Sequence, residues 1–188
     1  MAKVFEFLAD GFEDIEALGP VDIFRRGGVE IQTVSVNGSD CVTSAHGITV
    51  KADVKFEDAD FSGADLLMLP GGLPGATNLG DHEGLCKLLT EHAAKGGMIS
   101  AICAAPMVLG KLGLLKGKRA TCYPGFEKYM EGAEYTGLLF SHDGNIVTGE
   151  GPAATFPYAY HLLSNFIDEG KVKEIERGMM FTHLIKGR

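Results

Sequence analysis

Nowhere in this chain do about 18 apolar residues run together, the length a membrane-crossing helix needs, and the opening MAKVFEFLADGFED has neither the apolar core nor the small-residue cleavage site of an export signal. The expectation is a cytoplasmic protein with no membrane partner. Cationic excess is also missing: 17 Lys and Arg stand against 25 Asp and Glu, a formal net charge of -8, and no basic cluster interrupts the acidic balance. Phosphate backbones are repelled on average, so a nucleic-acid partner is not expected. Cysteine is sparse and scattered, at Cys41, Cys86, Cys103 and Cys122, with no CxxC and no His/Cys group at metal-ligand spacing. That pattern gives no reason to expect a structural metal, and no cofactor is expected either. In a reducing compartment each cysteine is by default a free thiol, most often a small buried hydrophobe. Repeats, low-complexity tracts and linkers are absent too, which points to residues 1–188 as one domain.

What is present is enough apolar material, 45% of 188 residues, for one sizeable core. Strand-like runs at 4–8, 31–36, 65–69 and 98–102 alternate with helix-like runs at 13–26, 82–94 and 104–112. Such alternation predicts βαβ units and an α/β fold, a doubly wound, mostly parallel sheet with helices on both faces. Leu66 to Leu69 and Ile99 to Ile102 are free of charge, as expected for central strands covered on both sides. Shorter strands are expected at 42–43 with 48–50, and at 138–140 with 146–148 around an Asp143-Gly144 turn. Two helices, 153–167 and 172–184, are expected to close the chain, with Pro157 kinking the first or resetting its start and Pro20 raising the same question in the opening helix.

In an open parallel sheet ligands bind beyond the carboxyl ends of the strands, where the βα loops converge. Three such loops carry usable chemistry. Cys103 lies between an apolar strand and a helix-like segment, where small neighbours Ala101, Ala104 and Ala105 allow a tight nucleophile-elbow turn. Helix N–H groups starting at Ala104 would favour its thiolate; the competing reading is a buried packing cysteine. The run Pro70 to Gly75 lacks the Gly-Lys-Ser/Thr ending of a phosphate loop, so Gly71 and Gly72 suit an oxyanion hole better than a nucleotide, unless they only serve a tight turn. Glu16 stands one helical turn into the first connection, and a carboxyl facing a thiolate would be pushed up and could stay protonated. Locally, Glu13 and Asp14 compete with it. Histidine offers less: none follows Cys103 directly, and His46, beside Ser44 and Gly47, is the best pocket candidate among six.

These segments together have a familiar order. Leu8-Ala9-Asp10-Gly11-Phe12-Glu13-Asp14-Ile15-Glu16, Pro20-Val21-Asp22, Leu69-Pro70-Gly71-Gly72, Ala101-Ile102-Cys103-Ala104-Ala105-Pro106 and Gly151-Pro152 resemble, in order and spacing, the ThiJ/PfpI superfamily over nearly the whole chain. The similarity is greatest to the branch containing the parkinsonism-associated deglycase and its bacterial relatives. The resemblance implies a flavodoxin-like fold, a homodimer, Cys103 as elbow nucleophile, Glu16 as the protonated acid touching it, and Gly71 and Gly72 in the anion-binding backbone. Departures are informative. Ala104 stands where the protease-like branches place His, Tyr123 where the deglycase pattern has His, and Glu150 where it has Arg. Ala104, Tyr123 and Glu150 thereby become candidates for shaping a less cationic substrate pocket.

The function implied by the resemblance is a cofactor-free cysteine enzyme acting on methylglyoxal, glyoxal or their glycated adducts, as a glutathione-independent glyoxalase or deglycase. The alternative is an oxidative-stress sensor and redox-regulated chaperone using the same thiol. A cysteine peptidase ranks third, because it needs a Cys-His pair that the sequence does not supply.

Overall fold

The computed structural model describes residues 2–186. In chain order it contains β1 (Lys3–Leu8), α1 (Asp14–Arg26), β2 (Glu30–Ser35), β3 (Cys41–Thr43), β4 (Thr49–Lys51), β5 (Val54–Lys55), β6 (Leu66–Leu69), α2 (Gly75–Asp81), α3 (Glu83–Ala94), β7 (Met98–Ile102) and α4 (Pro106–Lys111). It continues with β8 (Arg119–Ala120), β9 (Glu134–Tyr135), β10 (Phe140–Asp143), β11 (Ile146–Gly149), α5 (Thr155–Leu163), α6 (Glu169–Gly178) and α7 (Phe181–Lys186). Seven strands form the main sheet in the order β10-β11-β7-β6-β1-β2-β5, parallel except for the β10–β11 hairpin at one edge. Helices cover both sides of this sheet, with α1 packed against α5 and α2 against α3 and α4. Among the described residues no helix is long and apolar enough to cross a membrane.

The two uncharged runs do occupy the middle of the sheet. All four residues of β6 are buried, as are the last four of β7, because each strand is covered on both faces. Each of the leucines buried this way contributes about 1.5–3 kcal/mol relative to an exposed one. One acid breaks the apolar pattern. Glu6, in β1, is 1% exposed, and burial, followed by the charge of Glu16, holds its pKa well above the ordinary carboxylate value. Strand order reverses direction between β1 and β6, so the loops after β1, β6 and β7 meet above one crevice.

Several sequence expectations change in the structure. The hairpin pairs Asp143 with Ile146, so its turn is Gly144-Asn145 and its first strand starts at Phe140. α2 was not expected, because its residues, Gly75 to Asp81, carry two glycines and little apolar periodicity. Residues 172–184 do not form one helix: Met180 takes φ +60, in the left-handed region, and divides α6 from α7. Pro157 lies in the first turn of α5, where no backbone N–H is required, and so accompanies the start of that helix at Thr155. α1 runs on through Pro20 without a break.

Candidate active site

The turn after β7 is built around Cys103, whose φ is +63. A non-glycine residue in this conformation costs on the order of 1–3 kcal/mol and persists only where its surroundings hold it. Here both backbone groups are tied down: the Cys103 N–H donates to Gly149 O at 2.9 Å, and the Cys103 carbonyl accepts from Tyr123 N–H at 2.8 Å. The turn therefore lies between the end of β11 and the 121–126 loop, and the side chain projects into the crevice. α4 begins at Pro106, two residues later than the sequence suggested, since a left-handed Cys103 delays the helix and proline suits a first helical position. The N–H groups facing the sulfur are those of Gly72 and Ala104.

Glu16 comes to this thiol from α1. Glu13 forms the N-cap, accepting the Glu16 N–H at 2.8 Å, and thereby orients the first turn so that the Glu16 side chain points inward. Glu16 is 1% exposed, and its Oε2 accepts the Gly71 N–H at 2.9 Å. That bond occupies the Gly71 donor, while the N–H groups of Gly72 and Ala104 act on the sulfur. Gly71 has a different necessity. A Cβ on it would stand 2.5 Å from Glu16 Oε2 and 2.6 Å from Cys103 Cβ, so only glycine lets the acid and the cysteine approach across this loop.

Each of the two groups shifts the titration of the other. Burial, opposed mainly by the Cys103 hydrogen bond, pushes Glu16 up to about 7. Burial, then the charge and hydrogen bond of Glu16, push Cys103 up to about 12, while the Gly72 and Ala104 N–H groups pull it down. A thiol lowered by a helix terminus is therefore not what this environment supplies. As long as Glu16 carries the negative charge, the sulfur keeps its proton. Moving that proton to the carboxyl removes both upward influences of Glu16 and leaves two N–H donors facing a thiolate.

The remaining candidates divide. Ala104 and Tyr123 line a cavity of about 230 Å³ at Cys103, together with Gly72, Leu73 and Phe126. Glu150 belongs to a neighbouring cavity of about 270 Å³ that shares Tyr123. His46 is not brought to the thiol: its ring is exposed, and its Nδ1 lies 2.6 Å from Asp14 Oδ2. The structure thus separates the three clustered acids, giving Glu13 the cap, Asp14 the His46 contact and Glu16 the cysteine. Leu73 and Phe126 were missed, although Leu73 lies within Pro70-Gly71-Gly72-Leu73-Pro74-Gly75 and Phe126 directly follows Tyr123-Pro124-Gly125. Among the described residues, one group offers metal-ligand atoms within 4.8 Å of one another, Glu13, Asp14 and His46, and those atoms already serve the cap and the ion pair.

A flavodoxin-like sheet carrying a strained cysteine turn, a buried carboxyl and glycine backbone donors defines a class of α/β protein with a nucleophile elbow. The DJ-1/PfpI family model matches residues 2–165, and the chain belongs to that family. It is 38% identical to the protein DJ-1 homolog B of Arabidopsis thaliana over 92% of this chain, which corresponds to only 40% of the plant protein's length. A Pyrococcus abyssi protein named as a deglycase is 30% identical over 83% of this chain and 94% of its own. Among solved structures, a cysteine-to-alanine mutant of a DJ-1 superfamily protein from Salmonella typhimurium superposes with a TM-score of 0.92 at 32% identity, covering 96% of this chain and 98% of that one.

Proposed function

We propose that the protein is a cysteine enzyme acting on small reactive carbonyls such as methylglyoxal and glyoxal, or on the adducts they form. The observation that carries this reading is the Cys103–Glu16 pair held across Gly71, with the Gly72 and Ala104 N–H groups beside the sulfur. The name of the Pyrococcus relative supports the substrate class. With methylglyoxal, the sulfur adds to the aldehyde carbon, a C–S bond forms, and the carbonyl π pair moves to an oxygen beside the Gly72 and Ala104 donors. Glu16, which holds the thiol proton at this stage, gives it to that oxygen to complete the hemithioacetal. The carboxylate then takes the proton from that carbon and returns it to the neighbouring one, while the hydroxyl proton passes to the second oxygen, giving a 2-hydroxy thioester. Water then cleaves the C–S bond, so the sum is methylglyoxal plus water to lactate and no outside oxidant is required. The test is lactate release without glutathione; full activity in Cys103→Ala would overturn the reading.

A redox role for the same thiol draws support from its surroundings: a sulfinate on Cys103 could accept hydrogen bonds from a protonated Glu16 and from the two N–H groups. Graded peroxide followed by an aggregation assay tests it, with no change in holdase activity on oxidation as the excluding result. Peptidase chemistry is disfavoured, since none of the residues lining the Cys103 cavity is a histidine. The proposal includes a homodimer. Ile15, in the first turn of α1, and Ile48, beside β4, are each about half exposed, which suits a covered face, and size-exclusion chromatography with light scattering would test it.

A further inference from the structure

The crevice around Cys103 does not end at the thiol. The cavity of about 230 Å³ at Cys103 and another of about 270 Å³ share Tyr123 in their linings. Each alone lies below the roughly 300 Å³ at which small-molecule sites begin, and together they pass it. The Tyr123 ring stands against Gly151, where a Cβ would lie 3.3 Å from it, and meets Phe126 edge-on with centroids 6.5 Å apart. Leu73 and Leu139 are each a little over half exposed, large apolar side chains with no cover on the outer side. Neither cavity has a cationic side chain in its lining. Lys111 and Lys128 lie over the Tyr129 ring, beyond Phe126. The carboxyl group that lines the second cavity is that of Glu150.

Resting on the carbonyl reading above, we propose that this double cavity selects electrophiles bearing an uncharged apolar substituent, such as aryl- or longer alkyl-glyoxals, over both methylglyoxal and anionic carbonyls. The reactive carbon sits at Cys103, the substituent passes Tyr123 into the space bounded by Leu139 and Pro152, and the Glu150 carboxylate repels a negatively charged group there. Burial of the ring and removal of Tyr123 and leucine surface from water favour the neutral aryl compound. The carboxylate acts oppositely on an anion.

The test uses one electrophile with three substituents: alkylation of Cys103 by iodoacetamide, N-benzyl iodoacetamide and iodoacetate, each rate divided by that for glutathione and followed by peptide mass spectrometry. The expected result is at least a tenfold preference for the benzyl reagent over iodoacetamide and a tenfold disfavour of iodoacetate. Tyr123→Ala and, independently, Leu139→Gln should bring the benzyl preference back toward the glutathione value, and Glu150→Gln should relieve the iodoacetate penalty; both Tyr123 and Leu139 are exposed enough to be replaced without emptying the core. Equal normalised rates, or a benzyl preference unchanged in both variants, would overturn the proposal. A parallel comparison of kcat/KM for phenylglyoxal and methylglyoxal separates the two readings. If no 2-oxoaldehyde is turned over while the alkylation preference holds, the carbonyl chemistry fails and the subsite stands; if both compounds turn over alike and alkylation shows no preference, the subsite fails and the chemistry stands.

Discussion

Cys103 and Cys122 are two buried thiols in neighbouring loops, bridged by the hydrogen bond from Tyr123 N–H to the Cys103 carbonyl, and both are pushed up to about 12. Their reasons differ. For Cys122 burial is the main cause, followed by the charge of Glu127, and no carboxyl lies within hydrogen-bonding reach to take its proton. For Cys103 burial is again the largest cause, but the charge and hydrogen bond of Glu16 follow it, and Glu16 is a group that can accept the proton and cancel its own effect. A high thiol pKa therefore does not separate an inert cysteine from a reactive one. What separates them is whether a carboxyl beside the sulfur can take its proton.

The sharpest break in this comparison is the removal of each sulfur. Cys103→Ala should bring lactate release from methylglyoxal to background, while Cys122→Ala should retain turnover. Loss in both, with circular dichroism unchanged, would mean the two thiols act together. Next in size is Glu16→Gln, expected to lower turnover by roughly 10²-fold, the usual scale for a general acid or base. The Cys103 titration, read from alkylation rate against pH, should then move down, because the charge that pushes it up is gone; the Cys122 titration should stay put. An upward move at Cys103 would mean that Glu16 already donates a proton to a resting thiolate.

Stability against pH sharpens the contrast further. Glu16 is raised when folded, to about 7 from an ordinary value of 4.5, so below pH 4.5 it is neutral in both states and burial costs no charge. Between pH 4.5 and 7 the folded state holds the extra proton, and stability falls as pH rises, by roughly 3 kcal/mol from this group. Glu16→Gln should therefore flatten part of that slope and raise Tm at pH 8 relative to the parent, with little change at pH 4. An equal Tm difference at both pH values would contradict the assignment. Glu6 adds a slope of the same sign, which the comparison with the parent removes. The smallest effect is one of order: mild peroxide should modify Cys103 before Cys122, since only the former has a carboxyl beside it to take the thiol proton. Peptide mass spectrometry would show it, and a Cys103–Cys122 disulfide would turn the reading toward a redox couple.

Much of this was legible in the sequence, at the level where local patterning dominates. The apolar runs at 66–69 and 99–102 announced central strands because a strand covered on both faces tolerates no charge, and the alternation of strands with helices dictated a parallel sheet. The segments sharing residues with the DJ-1/PfpI family pointed to Cys103 and Glu16. The glycine at 71 was legible as special, but one reason for it was not: it is required by the closeness of Glu16 and Cys103, which lie 87 positions apart in the chain.

By itself, then, the sequence determined the sheet, the order of its elements and the loops that meet at its carboxyl end, since these follow from periodicity and from small residues at turns. Only the tertiary structure decided that Glu13 caps the helix from which Glu16 reaches the thiol, that His46 turns away to Asp14, that the N–H groups of Gly72 and Ala104 act on the sulfur, and that Tyr123 lines two cavities. Those outcomes depend on directions and distances between segments far apart in the chain, and neither is encoded in the local spacing of residue types.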